Sequence, residues 1–135
     1  MRLVLDTNVL VSALLHASGP CGRLFDLLLD GAIEACVDDR ILSEYHDVLV
    51  PPAFRFALPD IEIALDFFQH SAIPVVAIPL NVVLSDPEDL PFLEVAASAQ
   101  AILVTGNRRH FPKTAMGSVV VASPTECLKA LQRMP

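Results

Sequence analysis

The chain has 135 residues, of which 53% are hydrophobic, and its 16 acidic and 9 basic residues give a net charge of −7. This length and apolar content exclude disorder, predict a single domain over residues 1–135, and leave no apolar run near the roughly 18 residues of a membrane span. The acidic balance argues against a basic nucleic-acid-binding surface, unless the carboxylates are gathered to hold divalent cations.

Apolar runs and helical patterns alternate along the chain. Strands are predicted at residues 3–6, 33–37, 74–78, 101–105 and 118–122. Helices are predicted at residues 8–15, 21–29, 40–49, 61–71, 91–99 and 124–133. Unbroken apolar strands that alternate with helices are typical of a parallel sheet covered by helices on both faces. The sequence therefore predicts an α/β fold with a central five-stranded parallel sheet.

The predicted helix at residues 61–71 carries apolar residues on two sides. Asp60 precedes it as a candidate N-cap for the main apolar stripe. Ile63 and Phe67 lie on the other side, where they fit either core beneath a loop or a contact with a second copy of the chain. A homodimer is therefore expected. The two prolines at residues 51–52 are expected to connect helices rather than to divide domains.

Two other helix starts carry local signals. Ser123 and Glu126 have the spacing of a capping box, in which each side chain binds the backbone N–H of the other. In the stretch DPEDLPF, Asp86 could cap a helix, but Pro91 would then lie inside that helix at a cost of about 3 kcal/mol. The helix is therefore predicted to begin near Asp89, with Asp86 in the preceding turn.

Polar side chains collect where the predicted strands end. They are Asp6, Thr7, Asn8, Asp38, Asp39, Ser85, Asp86, Asp89, Thr105, Gly106 and Asn107. In open α/β sheets, ligands bind beyond the carboxyl ends of the strands, near the point where the winding reverses. This edge of the sheet is therefore the predicted functional site. A buried charge such as that of Asp6 is costly there unless a partner neutralises it.

Glu44 is a site candidate that lies within a helix rather than at a strand end. The apolar stripe of the helix at residues 40–49 includes Ile41 and Val48, and at 100° per residue Glu44 lies at its border, whereas Asp47 points well away. A carboxylate at that border, one turn into the helix, can reach the cleft at the sheet edge. The other interpretation is an ordinary solvated residue.

Converging carboxylates without basic neighbours repel one another, and a divalent cation with oxygen ligands relieves that repulsion. Mg²⁺ or Mn²⁺ is the expected ion. Zn²⁺ is not expected, because the four histidines show no convincing ligand spacing. The three cysteines are odd in number and widely spaced, so we expect reduced core residues in a protein of the reducing cytoplasm.

Three stretches together carry a resemblance to a known family. They are LVLDTNVLVSALL at the start, SEYHDVL in the third predicted helix, and DPEDLPFLEVAASAQAILVTGNRRHF further on. In this order and spacing the chain resembles the PIN domain along essentially its whole length, and it is similar to the subgroup of VapC-like toxins of toxin–antitoxin pairs. The resemblance implies a three-layer α/β/α sandwich, metal-dependent hydrolysis of RNA phosphodiester bonds, and a cognate antitoxin protein as a partner.

The resemblance also assigns roles to individual residues. The acidic quartet of the family maps onto Asp6, Glu44 and Asp89, which are implied as catalytic metal ligands, with Asn107 in the fourth position. Asp86 corresponds to an extra acidic ligand of the subgroup. An Asp often occupies the fourth position, whereas Asn107 offers a single carbonyl oxygen. The second metal ion is therefore expected to bind weakly, or only when a substrate phosphate supplies ligands.

Further residues are implied to assist this set. Thr7, Asn8 and Thr105 are expected to support the metal ligands or to contact the phosphate. The basic cluster of the chain consists of Arg108, Arg109, His110 and Lys113. We expect its Arg and Lys residues along the RNA backbone, where they position the substrate without reading its sequence; the other interpretation is a solvated loop.

Of two other functions, one stays open and one is disfavoured. The chain could be a PIN-like module that binds RNA or protein without turnover, which would fit both Asn107 and the acidic charge. A haloacid-dehalogenase-like phosphatase is disfavoured, because that chemistry needs an Asp two residues after a nucleophile at Asp6, where this chain has Asn8. The only lysines, Lys113 and Lys129, also come late, and a cap domain is absent.

Overall fold

The computed structural model describes residues 1–50 and 56–133. The strands in this part of the chain are β1 (Arg2–Leu5), β2 (Glu34–Val37), β3 (Ile73–Pro74), β4 (Ile102–Val104) and β5 (Val121–Ala122). The α-helices are α1 (Thr7–Leu15), α2 (Pro20–Leu29), α3 (Asp39–Leu49), α4 (Leu58–His70), α5 (Leu90–Ala99), α6 (Lys113–Met116) and α7 (Pro124–Gln132). All strand pairings are parallel, in the order β3-β2-β1-β4-β5. The predicted α/β/α fold around a five-stranded parallel sheet is confirmed.

The winding of the sheet reverses beside β1. The chain moves from β1 outward to β2 and β3, then returns to β4 on the other side of β1 and finishes at β5. Right-handed crossovers in the two directions put helices on both faces of the sheet. The neighbouring strands β1 and β4 pair Leu5 with Val104, so their next residues, Asp6 and Thr105, lie at the switch point.

The core fixes helix α3 against the end of β1. Leu3, Val4 and Leu5 of β1 are at most 1% exposed. Tyr45 of α3 is also buried, and its hydroxyl donates a hydrogen bond to the carbonyl oxygen of Leu5. Its ring packs against Phe68 of α4, with ring centroids 4.9 Å apart. Burying a ring of this size contributes about 2–3 kcal/mol to the free energy of folding. The buried Tyr45 therefore fixes which face of α3 points into the core.

The edge strand β3 is shorter than predicted, because it ends at Pro74 rather than at residue 78. The N–H of Val75 still donates to the carbonyl oxygen of Val37 in β2 at 2.8 Å, but further along the chain two backbone donors bind side chains of α5. The N–H of Ile78 donates to Ser98 Oγ at 2.9 Å, and the N–H of Leu80 donates to Glu94 Oε2 at 2.7 Å. These tertiary bonds draw the extended chain onto the helix and away from the sheet.

The other edge strand, β5, is also shorter than predicted, since it begins at Val121 rather than at residue 118. The N–H of Val119 closes a turn onto the carbonyl oxygen of Met116 at the end of α6. Neither α6 nor the 3₁₀ turn at Arg108–His110 was expected from the sequence. Both are too short for a periodic apolar pattern to reveal them.

The prediction of Asp60 as an N-cap is wrong. Helix α4 begins at Leu58 with Ala57 as its N-cap, so Asp60 lies within the first turn. A proline in the first turn is compatible with this earlier start, because the N–H that Pro59 lacks would have no partner within the helix. The expected connection at residues 51–52 lies outside the described residues.

The two apolar residues on the second side of α4 differ: one lies in the core and the other is exposed. The ring of Phe67 contacts those of Phe25 and Phe68, with centroids 6.1 Å and 5.0 Å away, so this residue belongs to the core. Ile63 is 52% exposed, so it is open to a contact with another molecule.

The other predicted helix starts agree with the structure. Ser123 Oγ accepts from the Glu126 N–H at 3.1 Å, and Glu126 Oε1 accepts from the Ser123 N–H at 3.0 Å, which completes the capping box. Asp86 caps a 3₁₀ turn at Pro87–Asp89 that leads into α5, so Pro91 lies in the first turn of that helix, as predicted.

The cysteines are free thiols, as predicted. Cys36 and Cys127 are buried, and burial raises the pKa of the Cys127 thiol to about 11, whereas Cys21 is half-buried. Within residues 1–50 and 56–133, no helix has both the length and the apolar character that crossing a bilayer requires.

Candidate active site

Asp6 occupies the centre of the candidate site, at the switch point between β1 and β4. Its carboxylate is 6% exposed and accepts hydrogen bonds from the Thr105 hydroxyl at 2.7 Å and from the Thr7 N–H at 2.9 Å. Burial raises the pKa of this carboxyl group, and the two hydrogen bonds oppose the rise only in part. Both donors are neutral, so they hold the carboxylate in place without cancelling its charge.

Glu44 extends the site from helix α3. The Thr7 hydroxyl donates a hydrogen bond to Glu44 Oε2, so the half-buried Glu44 side chain turns toward the end of β1. Burial raises its carboxyl pKa, and the negative charges of Asp6, Glu88 and Asp89 raise it further. The expectation that the helix border brings Glu44 toward the sheet edge agrees with this geometry.

The turn before α5 supplies two further carboxylates. Asp89 is 8% exposed, and its pKa is raised first by burial and then by the charge of Asp6, while His110 opposes the rise. Asp86 is half-buried and caps the turn by accepting from the Glu88 N–H at 2.9 Å, and its charge acts on both Asp6 and Asp89. Four acidic groups from three parts of the chain therefore influence one another electrostatically.

His110, which the sequence interpretation placed in the basic cluster, lies against the acidic group. Its Nδ1 lies 2.9 Å from Asp89 Oδ2, and its Nε2 lies 2.9 Å from the side-chain nitrogen of Asn107. The spacing from Asp89 to His110 matches no ligand motif, because the two residues come from different loops. The available signal was local: Asn107 and His110 are three residues apart, which a 3₁₀ turn brings onto the same side.

The predicted supporting residues occupy the same edge. The Thr105 hydroxyl, besides donating to Asp6, accepts from the Asn107 N–H at 3.0 Å. Asn8 is exposed, and its side-chain oxygen accepts from the Gly106 N–H at 3.4 Å. The loops that follow β1 and β4 are therefore tied together at the mouth of the site.

Arg108 is engaged by residues of β5 and of the first turn of α7. Its guanidinium forms an ion pair with Glu126 at 2.7 Å and donates to the carbonyl oxygen of Val121 at 3.0 Å. Arg109 and Lys113 are exposed. Of the three cationic residues that follow Asn107, Arg108 therefore has an acidic partner.

Asp38, which follows β2, has a structural role at the start of α3 instead. It caps α3 by accepting from the Ile41 N–H at 3.0 Å, and it forms an ion pair with Arg40 at 2.7 Å. Arg40 and Glu44 line a common cleft of about 670 Å³ beside the acidic group. The cleft is therefore lined by both a cationic side chain and carboxylates.

In the described part of the chain, no three His, Cys, Asp or Glu side chains converge as a ready-made metal-binding group. The donor atoms still suit a hard divalent cation, since the acids supply carboxylate oxygens and Asn107 a carbonyl oxygen. One further observation fits such an ion. Asp89 Oδ2 is buried, and among the described residues its close neighbour is the ring nitrogen Nδ1 of His110 at 2.9 Å.

Comparison with known proteins gives concordant results. The PIN domain profile matches residues 2–109. The uncharacterised protein MJ1680 of Methanocaldococcus jannaschii is 30% identical over 112 residues, which cover 80% of this chain and 72% of that protein.

Two solved structures share the fold at low sequence identity. The crystal structure of VapBC2 from Rickettsia felis bound to a DNA fragment from its promoter has a TM-score of 0.60 at 15% identity. That of FitAcB from Neisseria gonorrhoeae has a TM-score of 0.56, also at 15% identity. Each likeness covers 91% of this chain and 98% of the matched chain. At such low identity these likenesses concern the fold alone.

Proposed function

The chain belongs to the PIN domain family, whose members are generally nucleases, and we propose that it is a Mg²⁺- or Mn²⁺-dependent endoribonuclease. The observation that carries this proposal is the group of acids at the switch point. Asp6 is buried there with neutral donors only, and the charges of Glu44, Asp86 and Asp89 act on it or on one another. Several buried acids can remain ionised side by side when a bound cation offsets their repulsion and their loss of solvation.

The residues that would hold the ion are Asp6, Glu44, Asp86, Asp89 and Asn107. When bound, a divalent ion lowers the pKa of an attacking water and stabilises the charge on the leaving oxygen of the phosphodiester. Thr105 and the Thr7 N–H hold the Asp6 carboxylate in one orientation, and the Thr7 hydroxyl holds Glu44. Because these donors are already in place, the carboxylates need little reorganisation when substrate arrives.

The RNA backbone would cross this edge of the molecule. Arg109 and Lys113 are exposed beyond Asn107, and we assign them to phosphate contacts. The guanidinium of Arg108 is engaged by Glu126, so we do not assign Arg108 to these contacts. Asn8, at the rim of the site, is assigned to the phosphate or to the ribose next to it.

A cleavage assay tests the proposal. The purified protein is incubated with structured RNA and Mn²⁺, beside Asp6→Asn and the matched control Asp26→Asn, which changes an exposed aspartate of α2. We expect cleavage by the wild type and the control, and none by Asp6→Asn. If Asp6→Asn cuts as fast as the wild type, the activity belongs to a contaminant and the nuclease assignment fails.

A second candidate is a PIN-like module that binds RNA or protein without turnover. It is favoured by the neutral Asn107 and by the lack of a ready-made metal group among the described residues. Calorimetric titration with Mn²⁺ distinguishes the two. Binding at millimolar concentrations or below supports the enzyme, and no binding in that range supports the module.

We also propose two protein partners, an antitoxin and a second copy of the chain. The first rests on the likeness to VapC-like toxins, and the second on the exposed Ile63 of α4. If the protein is a toxin, its expression should arrest growth, Asp6→Asn should not, and co-expression of a small protein from the adjacent reading frame should relieve the arrest. Sedimentation of the wild type beside Ile63→Glu tests the homodimer.

A further inference from the structure

A groove between α1 and α3 borders the acids of the candidate site. Its volume is about 450 Å³, and the described residues that line it include Thr7, Asn8, Val11, Ser12, Leu15 and Val48. Two of these residues, Thr7 and Val48, also line the cleft that contains Glu44. The groove and the cleft are therefore adjoining parts of one surface, so a ligand in the cleft can extend into the groove.

This surface changes from polar to apolar within one helical turn. Beside the acids, the Thr7 hydroxyl of α1 donates a hydrogen bond to the Glu44 carboxylate of α3. Four residues further along each helix stand Val11 and Val48, and both line the groove. Residues four apart are neighbours on the same face of a helix. The apolar part of the groove therefore begins one turn, about 5 Å, beyond the contact between Thr7 and Glu44.

The groove combines apolar walls with a few hydrogen-bonding groups. At 100° per residue, one face of α1 carries Asn8, Val11, Ser12 and Leu15. Leu15 is 49% exposed, and the exposed His16, which also lines the groove, follows it at the end of the helix. Apolar walls with a small number of polar groups are typical of sites for small organic ligands. A nucleobase is such a ligand, since it has two apolar faces and a hydrogen-bonding edge.

The position of the groove favours a nucleobase over the side chain of a protein partner. The groove adjoins the acids at which the proposed function places a phosphodiester, and a base attached next to that phosphodiester has to lie close by. Bases of single-stranded RNA are splayed out and pack on apolar and aromatic side chains of proteins. A second phosphate is disfavoured in the groove, because the described residues that line it include no Arg or Lys.

We propose that the groove binds one unstacked nucleobase of the RNA substrate, next to the phosphodiester that is cleaved. This inference rests on the proposed function, because it concerns the same substrate. Val11, Leu15 and Val48 pack against the base, whereas Ser12 and His16 offer hydrogen bonds to its edge. A base inside a duplex is stacked between its neighbours and cannot enter the groove. The substrate class is therefore RNA that is single-stranded at the cleaved bond, including the loops of structured RNA.

Methyl NMR with nucleotides tests the base subsite without any cleavage. The 3′- and 5′-monophosphates of the common ribonucleosides contain a phosphate and a base but no phosphodiester, and ribose 5-phosphate is the matched probe that lacks the base. In the presence of Mg²⁺, we expect the nucleotides to shift the methyl signals of Val11, Leu15 and Val48 through the ring current of the base. Ribose 5-phosphate should leave these signals in place.

Variants supply the second readout. We expect Leu15→Ser to weaken nucleotide binding about tenfold and to leave ribose 5-phosphate binding within about twofold. Leu29→Ser is the matched control and should change neither, because Leu29 is 40% exposed and ends α2 as Leu15 ends α1. In an RNA substrate, removing a base that flanks the cleaved bond should lower kcat/KM of the wild type about tenfold and have little effect in Leu15→Ser.

The outcomes separate the base subsite from the proposed nuclease. Methyl signals that no nucleotide shifts would overturn the subsite. Cleavage of RNA by the same protein would then leave the nuclease standing and the groove to a protein partner. Shifted methyl signals in a protein that cleaves no RNA would support the subsite and overturn the nuclease.

Discussion

Two buried carboxylates of this protein, Asp6 and Glu94, have similar exposure and opposite surroundings. Asp6 is 6% exposed and Glu94 is 4% exposed. Glu94 receives the Arg40 guanidinium at 2.7 Å and the Leu80 N–H at 2.7 Å, whereas Asp6 receives only the Thr105 hydroxyl and a backbone N–H. Burial alone therefore does not identify a functional acid. The difference is that, among residues 1–50 and 56–133, Glu94 forms an ion pair and Asp6 does not, and a buried charge without such a partner costs free energy.

The surroundings of Glu94 and of Asp6 also connect different segments of the chain. Arg40 binds Asp38 as well as Glu94, so the guanidinium joins the start of α3 to α5, and Glu94 in turn holds the extended chain after β3. This ionic cluster fastens three segments together. The region of Asp6 joins β1 to β4 through Thr105 but leaves the negative charge available to a ligand.

Asp6→Asn should give the largest effect and separate activity from stability. We expect activity to fall at least about 100-fold, because the central ligand is lost. The free energy of unfolding of the metal-free protein should not fall, since the change removes a buried charge that has no cation partner. Urea unfolding beside single-turnover cleavage measures both. A variant that is inactive only because it is unfolded would contradict the comparison.

Glu94→Gln should give the opposite result. It leaves Arg40 with one carboxylate instead of two, so we expect the free energy of unfolding to fall by about 2 kcal/mol. Cleavage per folded molecule should stay close to that of the wild type. Glu62→Gln, which changes an exposed acid of α4, is the matched control for stability. Loss of cleavage in a stable Glu94→Gln variant would move Glu94 into the active site.

Thr105→Val should weaken metal binding, because Asp6 loses a hydrogen bond that orients its carboxylate. Thr105 is fully buried and donates to Asp6 at 2.7 Å, so its loss frees the carboxylate to rotate. We expect Mn²⁺ affinity measured by calorimetry to fall about tenfold, while Thr105→Ser keeps the hydroxyl and most of the affinity. Equal affinity in the two variants would show that the hydroxyl does not orient Asp6.

The pH dependence of stability should give the smallest effect, and its sign follows from the raised pKa of Asp6. Between the ordinary value of 3.8 and the raised value, the folded protein binds a proton that the unfolded chain releases. This contribution therefore falls as pH rises through that window and is regained as pH falls. Subtracting the urea stability curve of Asp6→Asn from that of the wild type isolates this contribution. A difference that grows with pH would contradict the raised pKa.

The secondary structure could be predicted where it depends on neighbours in sequence. The capping box of Ser123 and Glu126 and the helix start after Asp89 follow from local backbone chemistry, and both agree with the structure. The start of α4, the end of β3 and the start of β5 do not follow from such rules. The chain after β3 is held on α5 by Ser98 and Glu94, which lie 20 and 14 residues from their partners Ile78 and Leu80.

The sequence by itself determined the α/β fold, the edge of the sheet that carries the acids, and the family. These depend on apolar periodicity and on the rule that parallel strands end at one edge, both of which are readable along a single chain. Only the tertiary structure decided that Glu94 is neutralised by Arg40, that Arg108 turns to Glu126, and that His110 meets Asp89. Charge pairing acts over a few ångströms in space, so the partner of a carboxylate stays unknown until the chain has folded.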